Sequence, residues 1–386
     1  MRQKRRLTAA LLALLLLSGC AGSAQRPQET PSAAPEPLPT ASPEPTPTPE
    51  ATPAPSPDPT PEPTPEIEYE LFYGQVPHIF THCLIAYPEL KDGSGKMRYD
   101  TDCINVTEFQ NLLNELYANG YSLVDLYDIY QEDENGRLTM KEAVEVPVGR
   151  KPVVFSIDDV VYDYDKRGNG MVDLLTLDDE GNLVSGTYRS DGTIDYSYDR
   201  EVFPILEAFI AEHPDFSSHG ARLTLCMTGF AGVFGFRTEV SDRPGDRQAE
   251  IEQATAVADR LKELGYSFAS HSYGHYNHEK HSEASLRKDL QAFQDEVVPI
   301  IGPVSAYVYP YGKPLLPGDP RYIAMQEYGF DLFCSVSHFF YSRNYDSGDT
   351  LYMTRVAIDG YSLREYHDVL SPLFDTNKVI DRENRP

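Results

Sequence analysis

The sequence predicts an α/β fold on a mostly parallel sheet, either open or closed into a barrel. Three observations carry that expectation. Strand-like apolar runs alternate with helix-like runs through most of residues 67–386, the order produced when helices cross between parallel strands. Two of the apolar runs end in chemistry-bearing side chains: 152–157 leads into Asp158 and Asp159, and 266–270 leads into His271 and His275. Such residues belong where parallel strands end and loops begin. Only one stretch, 160–198, breaks the alternation.

The elements follow in order. A strand is predicted over 76–84, then a helix over 107–118, opened by Asn105 or Thr107 and closed by Gly120. Strands 121–126 and 153–157 come next. After the interruption lie helix 201–212, strand 222–227, helix 247–263 ended by Gly265, and strand 266–270. Helix 283–300, strand 305–309, a helix around 321–328 and strand 331–336 complete the series. The interruption carries the turn signals Arg167-Gly168-Asn169-Gly170, Asp179-Glu180-Gly181-Asn182 and Ser190-Asp191-Gly192, and reads as inserted β-hairpins. Because it leaves directly from Asp159, it is expected to overhang the site as a wall or lid. Asp163 and Asp165 have calcium-loop spacing, yet Arg167 and the missing terminal glutamate fail that pattern. This segment reads as a solvated turn.

One carboxylate and two imidazoles suit a divalent metal such as zinc with a position left for water, and the second carboxylate can take a proton. His271, His275 and one of Asp158 and Asp159 would be the ligands, and the other aspartate the base. The bland alternative is capped helix starts and hydrogen-bonded core histidines. It fits any one of these residues, but fits less well all four at successive strand ends. His278 and His281 read as solvated loop histidines. Cys226 and Cys334, in apolar runs, read as small buried hydrophobes, while a Cys83–Cys103 disulfide is left open.

The amino terminus supplies an address. Arg2, Lys4, Arg5 and Arg6 precede the apolar run 7–17, too short to span a bilayer and suited to an export signal. Leu17-Ser18-Gly19-Cys20 resembles the bacterial lipoprotein box, which implies a lipid on Cys20 and an extracytoplasmic protein held at the cell membrane. Residues 21–66 are a Pro, Thr and Glu-rich linker with almost nothing to bury. As an extended spacer at about 3.1 Å per residue it could reach on the order of 100 Å and is expected to act as a stalk. A net charge of −27 argues against nucleic acid as partner and favours a neutral or amine-bearing polymer. A monomer is expected.

Taken in order, the motifs resemble those of the polysaccharide deacetylases of the NodB-homology group, the family-four carbohydrate esterases. Ser156-Ile157-Asp158-Asp159-Val160 is similar to their TFDDG, and His271-Ser272-Tyr273-Gly274-His275 to their H-S/T-x-x-H motif. Val308-Tyr309-Pro310-Tyr311-Gly312 is similar to R-x-P-Y-G, and 222–229 to ATFFVTG. Upstream, 76–82 resembles VPVLMYH, and 109–128 resembles the helix and strand that follow it. The likeness spans nearly all of 67–360. It implies a distorted (β/α) barrel, with the 160–198 insertion, that removes acetyl groups from N-acetylglucosamine-containing surface polysaccharide or peptidoglycan.

Carried over by position, the resemblance implies metal ligands Asp159, His271 and His275, Asp158 as general base, and the backbone N–H of Tyr311 as oxyanion donor. Tyr309 and Tyr311 are candidates to line a sugar subsite. Two departures stand out. Val160 replaces a glycine, so the turn after Asp159 must be rebuilt. Val308 replaces the arginine that braces the base, and Arg355 is the expected substitute, reaching Asp158 from a neighbouring strand. No Leu-x-His supplies the general acid. Among His82, His338 and His367, His82 is placed first as a site-lining residue. The second reading is a non-catalytic, glycan-binding surface lipoprotein.

Overall fold

The computed structural model describes residues 67–90, 99–135, 137–164, 167–341, 345–346 and 350–385. The export signal, Cys20, the 21–66 linker and Asp165 lie outside the described residues. Seven strands form the centre: β1 (His78–His82), β2 (Lys151–Asp158), β3 (Thr224–Met227), β4 (Ser267–Ser270), β5 (Ala306–Val308), β6 (Leu332–Val336) and β7 (Leu351–Ala357). Each pairs in parallel with the next, and β7 pairs with β1, closing the ring in chain order. The α/β expectation therefore resolves to a closed barrel.

Helices α1 (Val106–Ala118), α2 (Val202–Glu212), α3 (Arg247–Leu264), α4 (Glu283–Glu296) and α5 (Pro320–Glu327) fill the crossovers. Strand alternation divides the core in two. Phe155 and Ile157 of β2, Leu225 of β3 and Phe268 of β4 face outward, sharing one apolar cluster with Phe109, Leu112 and Leu116 of α1 and Val257 and Leu261 of α3. Val154, Cys226, Ala269, Val308, Cys334 and Met353 face inward. Small side chains at several of these positions leave room in the barrel for something larger.

Several boundaries differ from expectation. The predicted helix 283–300 stops at Glu296 and restarts at Val298–Ile301, with Pro299 in the first turn of the second piece. The predicted strand 121–126 shortens to Tyr121–Leu123 and flanks β2 outside the ring. The antiparallel pair Tyr69–Tyr73 with Ala143–Pro147 was not foreseen. The insertion forms a three-stranded antiparallel meander over Leu174–Leu177, Leu183–Tyr188 and Ile194–Ser197, with turns at the two later signals. Among its described residues only Met171 lines the cavity at the barrel mouth, so the insertion adds one residue to the wall.

Asn105 is the cap of α1: its side chain accepts from Glu108 N–H, and the Glu108 carboxylate accepts from Asn105 N–H. The same Glu108 is buried against the Arg385 guanidinium, with Nε at 2.6 Å and Nη2 at 2.8 Å. Arg385 also donates to the carbonyls of Asp100 and Cys103, tying itself to the segment that leads into α1. Arg385→Ala strands the Glu108 charge and is expected to cost about 3–5 kcal/mol, read from urea unfolding.

Glu201, fully buried, caps α2 by accepting from Val202 N–H at 2.7 Å and also accepts from Leu84 N–H at 3.2 Å. Burial pushes its carboxyl up to about 8, against the pull of those two donors. A raised folded-state pKa means no penalty below the unfolded value and a growing one as pH climbs to the folded value. Stability should therefore fall between pH 5 and about 8, by up to roughly 1.4 kcal/mol per unit for one proton. Urea midpoints of wild type and Glu201→Gln across that range should show the slope flattened in the variant.

Candidate active site

Inward parity brings His82, Asp158, His271, Val336 and Ala357 together at the carboxyl ends of the strands, where they line a cavity of about 460 Å³. Asp159, His275, Tyr311 and Asp359 join them from the turns and loops that follow the strands, and Asp102 from the end of the short helix Tyr99–Asp102. The donor atoms of Asp159, His271 and His275 all lie within 4.8 Å of one another, close enough to share one ion. His275 Nε2 is 3.8 Å from Asp159 Oδ2. His271 Nδ1 donates to the Val308 carbonyl at 2.9 Å, which leaves Nε2 as the basic nitrogen. Burial holds the His275 imidazole down at about 4, outweighing the opposing pull of Asp159, so it is neutral at neutral pH as a ligand must be. The donor set fits a divalent metal.

The backbone at these positions is unusual. Asp159, Ser272, His275 and Tyr311 all sit in the left-handed region, with φ between 52° and 61°. Non-glycine residues held there cost free energy, and such strain gathers at functional sites. It also resolves the Val160 departure. Asp159 itself makes the tight reversal, with Val161 N–H donating to the Asp159 carbonyl at 2.7 Å, and Val160 is buried in the outer core without needing positive φ.

Arg355 occupies the room left inside the barrel. Its Nη1 and Nη2 each meet one oxygen of Asp158 at 2.8 Å, Nη1 also meets Ser156 Oγ at 2.9 Å, and the guanidinium lies 4.1 Å from the Phe80 ring centroid. Both ion-pair partners are buried. Burial alone would raise the Asp158 pKa, but Arg355 and then His271 hold the carboxyl well below the usual carboxylate range. The fork of Arg355 also fixes the carboxylate plane.

His82 stands beside Asp158, its register partner on the adjoining strand. Its Nδ1 is buried with no hydrogen-bond partner among the described residues. His338 and His367 do not line the cavity: His338 bonds to the Tyr366 hydroxyl and His367 to Thr376 Oγ1. The two tyrosines separate. The Tyr311 ring is 61% exposed and lies 4.6 Å from the His275 ring. Tyr309 faces outward from the barrel and is fully buried, stacked on Phe333 at 5.8 Å. It helps close the cavity wall and offers no open ring face to a sugar.

His278 is a correction as well. It is buried, pairs with the Tyr307 hydroxyl at 2.8 Å, and burial with nearby Arg321 lowers it to about 3. Cys83 and Cys103 are thiols on the cavity wall rather than a disulfide. One positioning residue escaped the sequence reading altogether. Asp289 on α4 accepts from the Tyr273 and Gly274 N–H groups at 2.9 and 2.7 Å, pinning the loop between the paired histidines. An acid on the buried face of an amphipathic helix was its only signal.

No family model matches the chain, and no curated protein matches it. Solved structures do. A deacetylase of Streptococcus pyogenes in complex with acetate is 15% identical, with a TM-score of 0.41 over 75% of this chain and 94% of that one. A de-N-acetylase from Aggregatibacter actinomycetemcomitans is 14% identical, with a TM-score of 0.43 over 78% and 99%. The deacetylase domain of Bordetella bronchiseptica BpsB is 10% identical, with a TM-score of 0.38 over 74% and 96%.

Proposed function

We propose that the protein is a metal-dependent N-deacetylase acting on N-acetylglucosamine-containing cell-surface polysaccharide or peptidoglycan. The observation that supports this best is the joint geometry at the barrel mouth: three donors within reach of one ion, beside a carboxylate clamped on both oxygens by Arg355. Zinc is the metal that two imidazoles and one carboxylate suit best. When bound there, it would supply Lewis acidity toward a carbonyl oxygen and lower the pKa of a coordinated water.

The chain's own residues divide the remaining work. Asp158, kept ionised and oriented by Arg355, takes the proton of the attacking water. The Pro310–Gly312 turn presents the Tyr311 N–H to the oxyanion of the tetrahedral intermediate. His82, beside Asp158 on the cavity wall, would return a proton to the departing amine. Acetate and a free amine on the glycan result. The lipid on Cys20 and the 21–66 stalk would hold a monomeric domain outside the cytoplasmic membrane, within reach of envelope polymers.

Acetate release from N-acetylglucosamine oligomers tests this reading. Activity is expected to vanish with a chelator and return with zinc, and His275→Ala should weaken zinc affinity by at least about 10-fold. A fully zinc-loaded protein that binds glycan yet releases no acetate would favour the non-catalytic reading.

A further inference from the structure

The cavity rim carries more aromatic surface than the reaction uses. From β6 the chain passes Val336, on the cavity wall, to His338 and Phe339; from β7 it passes Asp359, also on the wall, to Tyr361 and Tyr366. These two exits meet. The rings of Tyr361 and Tyr366 lie edge to face at 5.4 Å, those of Tyr366 and His338 at 5.1 Å, and the Tyr366 hydroxyl bonds to His338 Nδ1. Val336 and Asp359, each two residues before a ring of this array, line the wall, which sets the array beside the cavity. Yet Tyr361 remains 47% exposed and Phe339 63% exposed.

Exposed rings braced by neighbours lose little freedom on binding. Their flat apolar faces match the C–H face of a pyranose, while hydroxyl and imidazole edges match its hydroxyls. On another side of the cavity the exposed Tyr311 ring leans on His275. We propose that Tyr361, with Tyr366 and His338 behind it, binds the sugar adjoining the one that loses its acetyl group. The protein then acts on residues within a chain in preference to a free monosaccharide. This assignment rests on the deacetylase reading above.

The test uses the mature lipid-free chain, loaded with zinc, and β-linked N-acetylglucosamine oligomers of increasing length. In the wild type kcat/KM should rise at least about tenfold from monosaccharide to the longer oligomers, equivalent to about 1.4 kcal/mol. Tyr361→Ala should raise the oligomer KM about tenfold with kcat within about twofold, and Tyr361→Trp, which keeps a flat face, should restore KM. Acetate release without length dependence, or an unaltered KM in Tyr361→Ala, would overturn the subsite and leave the deacetylase reading intact. If no oligomer yields acetate while calorimetry shows oligomer binding lost in Tyr361→Ala, the deacetylase reading fails and the sugar site stands.

Discussion

Arg355→Met is expected to destabilise the domain by about 3–5 kcal/mol, measured as a drop in urea midpoint, although methionine fills much of the same volume. The loss comes mainly from what is left behind. Asp158 sits in the barrel lumen with both oxygens satisfied by the guanidinium, and without it a buried carboxylate is left uncompensated. The double variant Arg355→Met with Asp158→Asn separates this cause from simple loss of packing. If the stranded charge dominates, Arg355→Met costs far less in the Asp158→Asn background than in the wild type. Equal costs in both backgrounds would mean that the ion pair contributes little and that Arg355 matters through its contacts with Phe80 and Ser156.

Asp158→Asn is expected to lower kcat for acetate release by about 10²–10⁴, the range lost with a positioned proton acceptor. Zinc content should be nearly unchanged, because Asp159, His271 and His275 keep their places. Atomic absorption on the purified variant checks that point beside the kinetics. An active Asp158→Asn protein would require another base, and among the cavity-lining groups Asp102 and Asp359 would be next in line.

The site was legible where chemistry and strand parity coincide. Asp158 and His271 sit on inward parity at strand ends, and Asp159 and His275 follow within one turn, so four residues of the motif pattern arrive together in space. Parity also explains why Tyr309 lines the cavity without offering it an open ring face. It is one residue past inward-facing Val308, so its ring points toward the helices, as alternation along β5 alone could have indicated. The last barrel strand entered the sequence reading only as the neighbouring strand expected to carry Arg355, without its bounds. Residues 351–357 place Leu351, Met353 and Arg355 inward, the parity that carries Arg355 to Asp158. His278 looked solvated because its partner, the Tyr307 hydroxyl, is far along the chain and lies in the helix-facing layer. The turn after Asp159 could not be read from composition, since nothing local announces that an aspartate, not its successor, takes the left-handed conformation.

Closure of the ring between its first and last strands has a consequence for biogenesis. A nascent polypeptide emerging from the ribosome or a translocation channel can assemble β1 to β6 but leaves two unpaired edges until β7 arrives. The same late segment delivers the cation that neutralises Asp158. Incomplete chains should thus be prone to proteolysis and edge-to-edge aggregation, and quality control during synthesis would discriminate on the final strand above all others.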